Sequence, residues 1–215
     1  MREYDAIVFD LDGTLIDSAP GLHAAARAML ARLDLPAPDL ETLTGFVGNG
    51  APVLVARCLD WANGPAGAQA DALAYFVALL ESDPLNGVTV YPGVPDLLAD
   101  FGARGLRLGL CTNKPEGPTR AILAALPLGP FDAVAGGDSL PVRKPDAAPL
   151  LHVIAELGAT AGRTLYVGDS VVDWRTAQAA GVDYAHVSGG YQRAPIPDLA
   201  PRFRLDRTRD LSHFV

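Results

Sequence analysis

From Val88 to near the end of the chain, short apolar runs alternate with stretches of helical spacing. Residues 106–111 read as a strand and 116–126 as a helix. The pair recurs at 131–135 and 146–157 and again at 164–167 and 171–180, with a further strand at 184–187. Alternation at this pitch demands right-handed strand–helix–strand crossovers, and hence a parallel sheet covered by helices. The run Ala6-Ile7-Val8-Phe9, within 4–9, adds a short strand apolar enough to be buried on both faces. Residues 203–205 read as a last short strand and 211–215 as a helical end.

Between Pro20 and Pro84 the texture differs. Ala, Leu, Arg and Met dominate, and apolar residues take helical spacing over 21–33, 51–61 and 68–82, punctuated by Pro36, Pro38, Gly64 and Pro65. This is an all-helical block inserted after the first strand. With 49% hydrophobic and 20% charged residues, the 215-residue chain is not intrinsically disordered. Its net charge of −8, with no block of Lys or Arg, argues against nucleic acid or an anionic membrane as partner. Any attraction for an anion must come from a metal ion or a few basic residues. Cys58 and Cys111 fit no metal-ligand spacing and read as buried thiols in a reducing compartment. No apolar stretch reaches the ~18 residues of a membrane span, and the first apolar run stops at Asp10, too soon for a signal peptide. A cytoplasmic location is expected.

Asp10-Leu11-Asp12-Gly13-Thr14 closes the first strand. On extended chain the two Asp side chains project to the same side. They do so at the carboxyl end of a strand, where open parallel sheets form their ligand crevice. Two carboxylates there repel unless something positive stands between them, and Mg²⁺, held by few carboxylates plus waters and substrate phosphate, is the natural partner. A solvated Asp-rich turn is the competing reading. Other strand ends bear on the choice. Strand 106–111 ends in Thr112-Asn113-Lys114-Pro115, strand 164–167 ends in Gly168-Asp169-Ser170 with Asp173 beyond, and Arg143-Lys144-Pro145-Asp146 enters a helix between them. Each has an ordinary role: Thr112 or Asn113 as a helix cap, Ser170 and Asp173 as a capping box, Lys144 as a surface lysine.

In this order, the DxDGT, Thr-Asn, Lys-Pro and GDSxxD motifs resemble the haloacid dehalogenase-like superfamily of phosphatases. With the sheet units, the similarity runs over nearly the whole chain. Asp17-Ser18-Ala19-Pro20-Gly21, Phe46-Val47-Gly48-Asn49-Gly50-Ala51, Arg57 and Gly136-Gly137-Asp138 look like its phosphoglycolate phosphatase subfamily. The resemblance implies an α/β fold: a doubly wound parallel, Rossmann-like core over residues 1–16 and 87–215, with a helical cap over 17–86 that closes on the substrate.

It also implies roles. Asp10 matches the nucleophile, and Asp12 the general acid and base that also lends its backbone carbonyl to the metal. Thr112 and Asn113 match the group that binds the phosphoryl oxygens. Lys144 matches the balancing lysine, Asp169 the metal-binding carboxylate, and Asp173 an outer acid that orients the site. Mg²⁺ is the implied cofactor and a small phosphate ester the implied partner, with the protein a monomer or homodimer. Gly48, Asn49, Gly50 and Arg57 are the candidates for substrate specificity: the loop by close backbone approach, or as a plain turn, and Arg57 by a bidentate grip on a carboxylate, or as a surface arginine. His23, Trp61 and Trp174 read as structural. Val172 departs from the Asn frequent before the final acid, which bears on the outer hydrogen bonds. Ala147 and Ala148 replace polar or Pro residues without consequence for catalysis. The implied activity is hydrolysis of 2-phosphoglycolate through an aspartyl phosphate. The alternatives are the same chemistry on a sugar phosphate, or a phosphosugar mutase. A dehalogenase would not need Asp12, a signalling receiver domain would be shorter with its acceptor in mid-chain, and an inactive scaffold would not keep Asp10, Asp12, Lys144 and Asp169.

Overall fold

The computed structural model describes residues 3–215. Strand β1 (Ala6–Phe9) leads into a two-residue strand β2 (Ile16–Asp17) and helices α1 (Ala19–Ala31), α2 (Leu40–Thr44), α3 (Ala51–Trp61) and α4 (Gln69–Ser82). The chain returns through β3 (Thr89–Val90) and α5 (Val94–Ala103). It continues as β4 (Arg107–Cys111), α6 (Glu116–Ala125), β5 (Ala133–Ala135), α7 (Ala148–Glu156), β6 (Thr164–Gly168), α8 (Val171–Ala180), β7 (Asp183–Val187) and β8 (Phe203–Leu205).

The six strands β5-β4-β1-β6-β7-β8 form one sheet in that order, and every pairing in it is parallel. β1 lies inside it, with Val8 level with Gly109 on one side and Tyr166 on the other. Side chains alternate across a strand. Ile7 and Phe9 therefore enter one apolar cluster with Leu97, Leu98 and Phe101 of α5, while Ala6 and Val8 enter another with Leu150, Val153 and Trp174 of α7 and α8. A strand packed on both faces has no polar face to show, which is why β1 reads as an unbroken apolar run. The architecture is the doubly wound parallel α/β core.

Helices α1–α4 bury their own apolar core, with Met29, Leu30, Leu43, Val55 and Phe76 at its centre. The chain leaves and re-enters the sheet unit side by side: β2 and β3 pair antiparallel, Ile16 with Val90 and Asp17 with Thr89. The crossing is tight. A Cβ on Gly21 would lie 1.9 Å from the Asn86 carbonyl oxygen, so only glycine lets the two passes touch.

Several elements differ from the sequence expectation. α1 starts at Ala19, with Pro20 in its first turn, where a missing N–H costs nothing. α7 starts at Ala148, whose N–H is taken by the Asp146 carboxylate at 2.8 Å. The β2–β3 ribbon and α2 are too short for periodicity to reveal. α5 packs Val94, Leu97, Leu98 and Phe101 against the sheet. The end of the chain is a 3₁₀ turn over Thr208–His213. Trp61, expected to pack, is 45% exposed at the end of α3. Cys58 and Cys111 are free and buried, and burial pushes their thiols up to about 11 and about 12.

Phe101 is fully enclosed between α5 and the sheet. Phe101→Ala should destabilise the protein by about 3–5 kcal/mol through lost burial and a residual cavity, read from guanidinium unfolding at unchanged m-value.

Candidate active site

From β1 the sheet grows outward through β4 to β5, and the chain then crosses back to place β6 on the other side of β1. The reversal falls between β1 and β6, and the crevice at a parallel sheet's carboxyl edge opens at such a reversal. Asp10 follows β1 there, its N–H still in the ladder on the Val167 carbonyl at 2.9 Å, and Asp169 follows β6. Thr112 and Asn113 follow β4, the other neighbour of β1. Lys144 arrives from the segment before α7, and Asp173 from the first turn of α8.

Lys144 is the centre of the cluster. Its Nζ lies 2.9 Å from Asp10 Oδ1 and 2.7 Å from Asp173 Oδ1, and donates to Tyr166 Oη at 2.8 Å. All four groups are buried. Burial works against the ammonium charge, but Asp10 and Asp173 outweigh it and hold Lys144 protonated. Burial likewise opposes ionisation of Asp173, yet Lys144, Ser170 and Tyr166 overcome it and keep this carboxyl below its ordinary range. Asp173 also closes a capping box with Ser170, whose N–H and hydroxyl reach Asp173 Oδ2 at 3.1 and 2.6 Å. The capping role and the site role therefore coincide.

Asp10 and Asp169 stand differently. Burial pushes Asp10 up to about 7, against the pull of Lys144. Burial, with the charges of Asp173 and Asp10, pushes Asp169 up to about 8. Asp169 accepts from Thr14 Oγ1 at 3.1 Å and from the Tyr191 N–H at 2.6 Å, so both its oxygens are aimed. The backbone is drawn tightly round it: a Cβ on Gly13 (φ +85°) would lie 2.6 Å from an Asp169 oxygen, and one on Gly190 2.3 Å from its Cβ. Asp10, Asp169 and Asp173 each bring a carboxylate oxygen within 4.8 Å of the others. Asp173 is already committed to Lys144, Tyr166 and Ser170. This leaves two buried carboxylates short of compensating charge: Asp10, which shares Lys144 with Asp173, and Asp169, which has hydrogen bonds but no cation. An all-oxygen, anionic donor pair of this kind fits a hard divalent cation.

Asp12 turns away from that cluster. Its Oδ1 accepts from Ser18 Oγ at 2.5 Å, and Lys114 Nζ lies 3.2 and 3.4 Å from its two oxygens. Ser18 precedes α1 but does not cap it. That task falls to Tyr191, whose hydroxyl accepts from the Ser18 and Ala19 N–H groups at 2.7 and 3.0 Å and donates to Asp17 Oδ1 at 2.8 Å.

Thr112 is buried at the crevice, its Oγ1 accepting the Lys114 N–H at 3.2 Å. The Asn113 side chain, expected on a phosphoryl oxygen, is otherwise engaged. Its Nδ2 donates to the Gly48 and Lys144 carbonyls, both at 3.0 Å, and its Oδ1 accepts the Lys144 N–H at 3.0 Å. The Gly48-Asn49-Gly50 loop thus meets the sheet unit through Asn113. The Arg57 guanidinium does not line the crevice either; it donates to the Phe46 carbonyl at 3.0 Å and to Asn49 Oδ1 at 3.1 Å, bracing the loop. His23 bonds the Pro38 carbonyl at 2.9 Å, and Trp174 packs on Tyr184.

Four residues of the site were not anticipated. Lys114 sits next to two candidates and has the exposed look of any lysine in a turn. Tyr166 reads as strand core. Ser18 reads as a helix cap. Tyr191 follows Gly189-Gly190, and that Gly pair after a strand is its one signal.

An open parallel sheet with a buried lysine–carboxylate cluster at its reversal point defines a hydrolase-type α/β site with room for a cation. The haloacid dehalogenase-like hydrolase family model matches residues 4–181, and the chain belongs to that family. It is 48% identical over 197 residues to a phosphoglycolate phosphatase of Cereibacter sphaeroides, covering 90% of this chain and 89% of that one. It is 42% identical over 212 residues to a phosphoglycolate phosphatase of Pseudomonas putida, covering 95% and 77%. Among solved structures, a predicted phosphoglycolate phosphatase from Haemophilus somnus superposes with a TM-score of 0.91 at 31% identity, covering 99% of this chain and 98% of that one.

Tyr191→Phe removes the acceptor of the Ser18 N–H, one of the two acceptors of the Ala19 N–H and the donor to Asp17. The variant should lose about 1–3 kcal/mol of stability, and amide exchange at Ser18 and Ala19 should quicken in a residue-resolved measurement.

Proposed function

We propose that this hydrolase is a Mg²⁺-dependent phosphomonoesterase that cleaves 2-phosphoglycolate to glycolate and phosphate through an aspartyl phosphate on Asp10. The observation that carries the reaction is the convergence of Asp10, Asp12, Thr112, Lys144 and Asp169 on one crevice. The substrate is supported by the phosphoglycolate phosphatases that the chain matches along most of its length.

Asp10 attacks phosphorus, and the bond from phosphorus to the glycolate oxygen breaks. Lys144, 2.9 Å from Asp10, orients the attacking carboxylate and offsets charge gathering on the phosphoryl group. Thr112 Oγ1, just beyond β4, donates to a phosphoryl oxygen. Asp12 gives its proton to the departing alkoxide. Water then attacks the aspartyl phosphate, Asp12 takes its proton, and phosphate leaves with Asp10 restored. Ser18 holds Asp12 in place for both transfers. Asp10, Asp169 and the Asp12 backbone carbonyl are the groups that would hold Mg²⁺, with Asp173 orienting from behind. The cation supplies positive charge that lets a carboxylate approach a phosphoryl dianion.

Residues 17–86 act as a cap over a core of residues 1–16 and 87–215. A cavity of about 40 Å³ lies between them, lined by Asp10, Asp12, Thr112 and Lys114 from the core and by Leu22, Gly48, Leu54 and Phe76 from the helices. Arg57 acts through the loop it braces, so Arg57→Ala should lower turnover of phosphoglycolate and p-nitrophenyl phosphate alike.

Excess chelator should abolish turnover, and Mg²⁺ should restore it; full activity in chelator would refute the metal assignment. Lys144→Ala should cut kcat/KM at least about tenfold in steady-state assays of folded protein.

The two carboxylates separate in a trapping experiment. Nitrophenolate leaves without a proton, so Asp12→Asn still permits attack by Asp10 but lacks the base for hydrolysis, a loss worth ~10²–10⁴-fold. Intact-protein mass after rapid acid quench with p-nitrophenyl phosphate should show a phosphoryl adduct mapping to Asp10 in Asp12→Asn and none in Asp10→Asn. An adduct on Asp12 or Asp169 would overturn the roles.

A further inference from the structure

We propose that Lys114 is the residue that reads the carboxylate of the substrate, and so selects phosphoglycolate over carboxylate-free phosphate esters. The inference rests on the phosphoglycolate reading and adds to it the group that makes the selection.

Lys114 is 7% exposed, a rare state for a lysine without full compensation. An ammonium has three N–H donors. Among the described residues, its side-chain acceptors are the two oxygens of one carboxylate, Asp12, at 3.2 and 3.4 Å. Among the described residues it is the only cation lining the cavity between sheet unit and helices, whose far wall is Leu22, Leu54, Phe76 and Leu80. A carboxylate entering such a cavity is costly to desolvate unless it meets a positive partner. Two arginines near the site are otherwise engaged. Arg57 is spent on Phe46 and Asn49, and Arg193, which lines the adjoining opening beside Asp10, Asp12 and Asp169, donates to the Gly190 carbonyl.

Substrate geometry points to the same residue. In phosphoglycolate the leaving oxygen and the carboxylate are separated by one methylene, so their oxygens lie about 3 Å apart. The leaving oxygen must sit against Asp12, which protonates it. The carboxylate then falls within reach of a group bonded to Asp12, and that group is Lys114. Bound substrate would share the ammonium with Asp12 and complete its hydrogen bonds.

The test compares 2-phosphoglycolate with ethyl phosphate, which replaces the carboxylate by a methyl group. In Lys114→Met, kcat/KM for phosphoglycolate should fall about 10–100-fold, chiefly through KM, while that for ethyl phosphate falls no more than about fivefold. Lys114→Arg, which keeps the charge, should recover part of the preference. Lys114→Gln carries the same two-substrate comparison should the Met variant fold poorly, and ethyl phosphate turnover itself reports intact machinery. An equal fall on both substrates, with the ethyl phosphate pH profile displaced, would overturn the proposal and make Lys114 a positioning residue for Asp12. Wild-type enzyme with no preference for phosphoglycolate over ethyl phosphate would instead overturn the substrate reading beneath it. The two failures are distinct, because one shows in the variant's ratio and the other in the wild type's.

Discussion

The ammonium of Lys144, enclosed between Asp10 and Asp173, is the interaction on which the rest of the site depends. It joins three pieces of chain that are remote in sequence: the end of β1, the segment before α7 and the first turn of α8. Removing one partner from a buried ion pair costs about 3–5 kcal/mol, because the other charge is left without compensation. Such a cluster is weak evidence for net stability, but it tolerates little displacement. Asp173 meets Lys144, Tyr166 and Ser170, which fixes the start of α8 and the height of Lys144 above the sheet together. Asp10 receives a lysine already held in place from behind.

The contrast among the carboxylates follows from this. Burial acts on Asp10, Asp169 and Asp173 alike, yet only Asp173 is driven below its ordinary range, because it alone combines Lys144 with two hydroxyl donors. Asp10 shares the lysine, and Asp169 has hydrogen bonds but no cation, so both are pushed up. The fold thus satisfies the orienting acid from within the protein and leaves the front pair to be completed by a ligand of opposite charge. Asp12 stands apart, with its own lysine and its own hydroxyl. One strand end therefore presents two acids in different electrostatic settings, the difference on which the proposed division of roles rests.

Much of this was legible in the residues. The αβ alternation and the apolar run of β1 follow from side-chain period and burial, and the sheet realises them. The strand-end positions of Asp10, Thr112 and Asp169 follow from where open sheets form crevices. What was not legible depends on contacts between distant segments. Asn113 has the amide to bind a phosphoryl oxygen, but nothing local reveals that Gly48 and the Lys144 backbone take both ends of that amide. Arg57 has the fork to grip a carboxylate, but Asn49, in the loop just before α3, takes it. Tyr166 and Tyr191 have the composition of core and loop, and only the fold brings their hydroxyls to Lys144 and Asp17. A polar side chain's role is set by which acceptor reaches it soonest, and tertiary geometry decides that.

The same contacts that build the site also tie the helical segment to the sheet unit. Asn113 donates its Nδ2 to the Gly48 and Lys144 carbonyls and accepts the Lys144 N–H on its Oδ1. Tyr191 donates its N–H to Asp169 and receives the first amides of α1 on its hydroxyl. Ser18, at the entry to α1, bonds Asp12. A displacement of the helices relative to the sheet therefore pulls on Asp12 through Ser18, on Asp169 through Tyr191 and on Lys144 through Asn113. Asp12, Asp169 and Lys144 share their hydrogen bonds with the joints of the molecule, so the geometry of the acids and the position of the helices cannot vary independently.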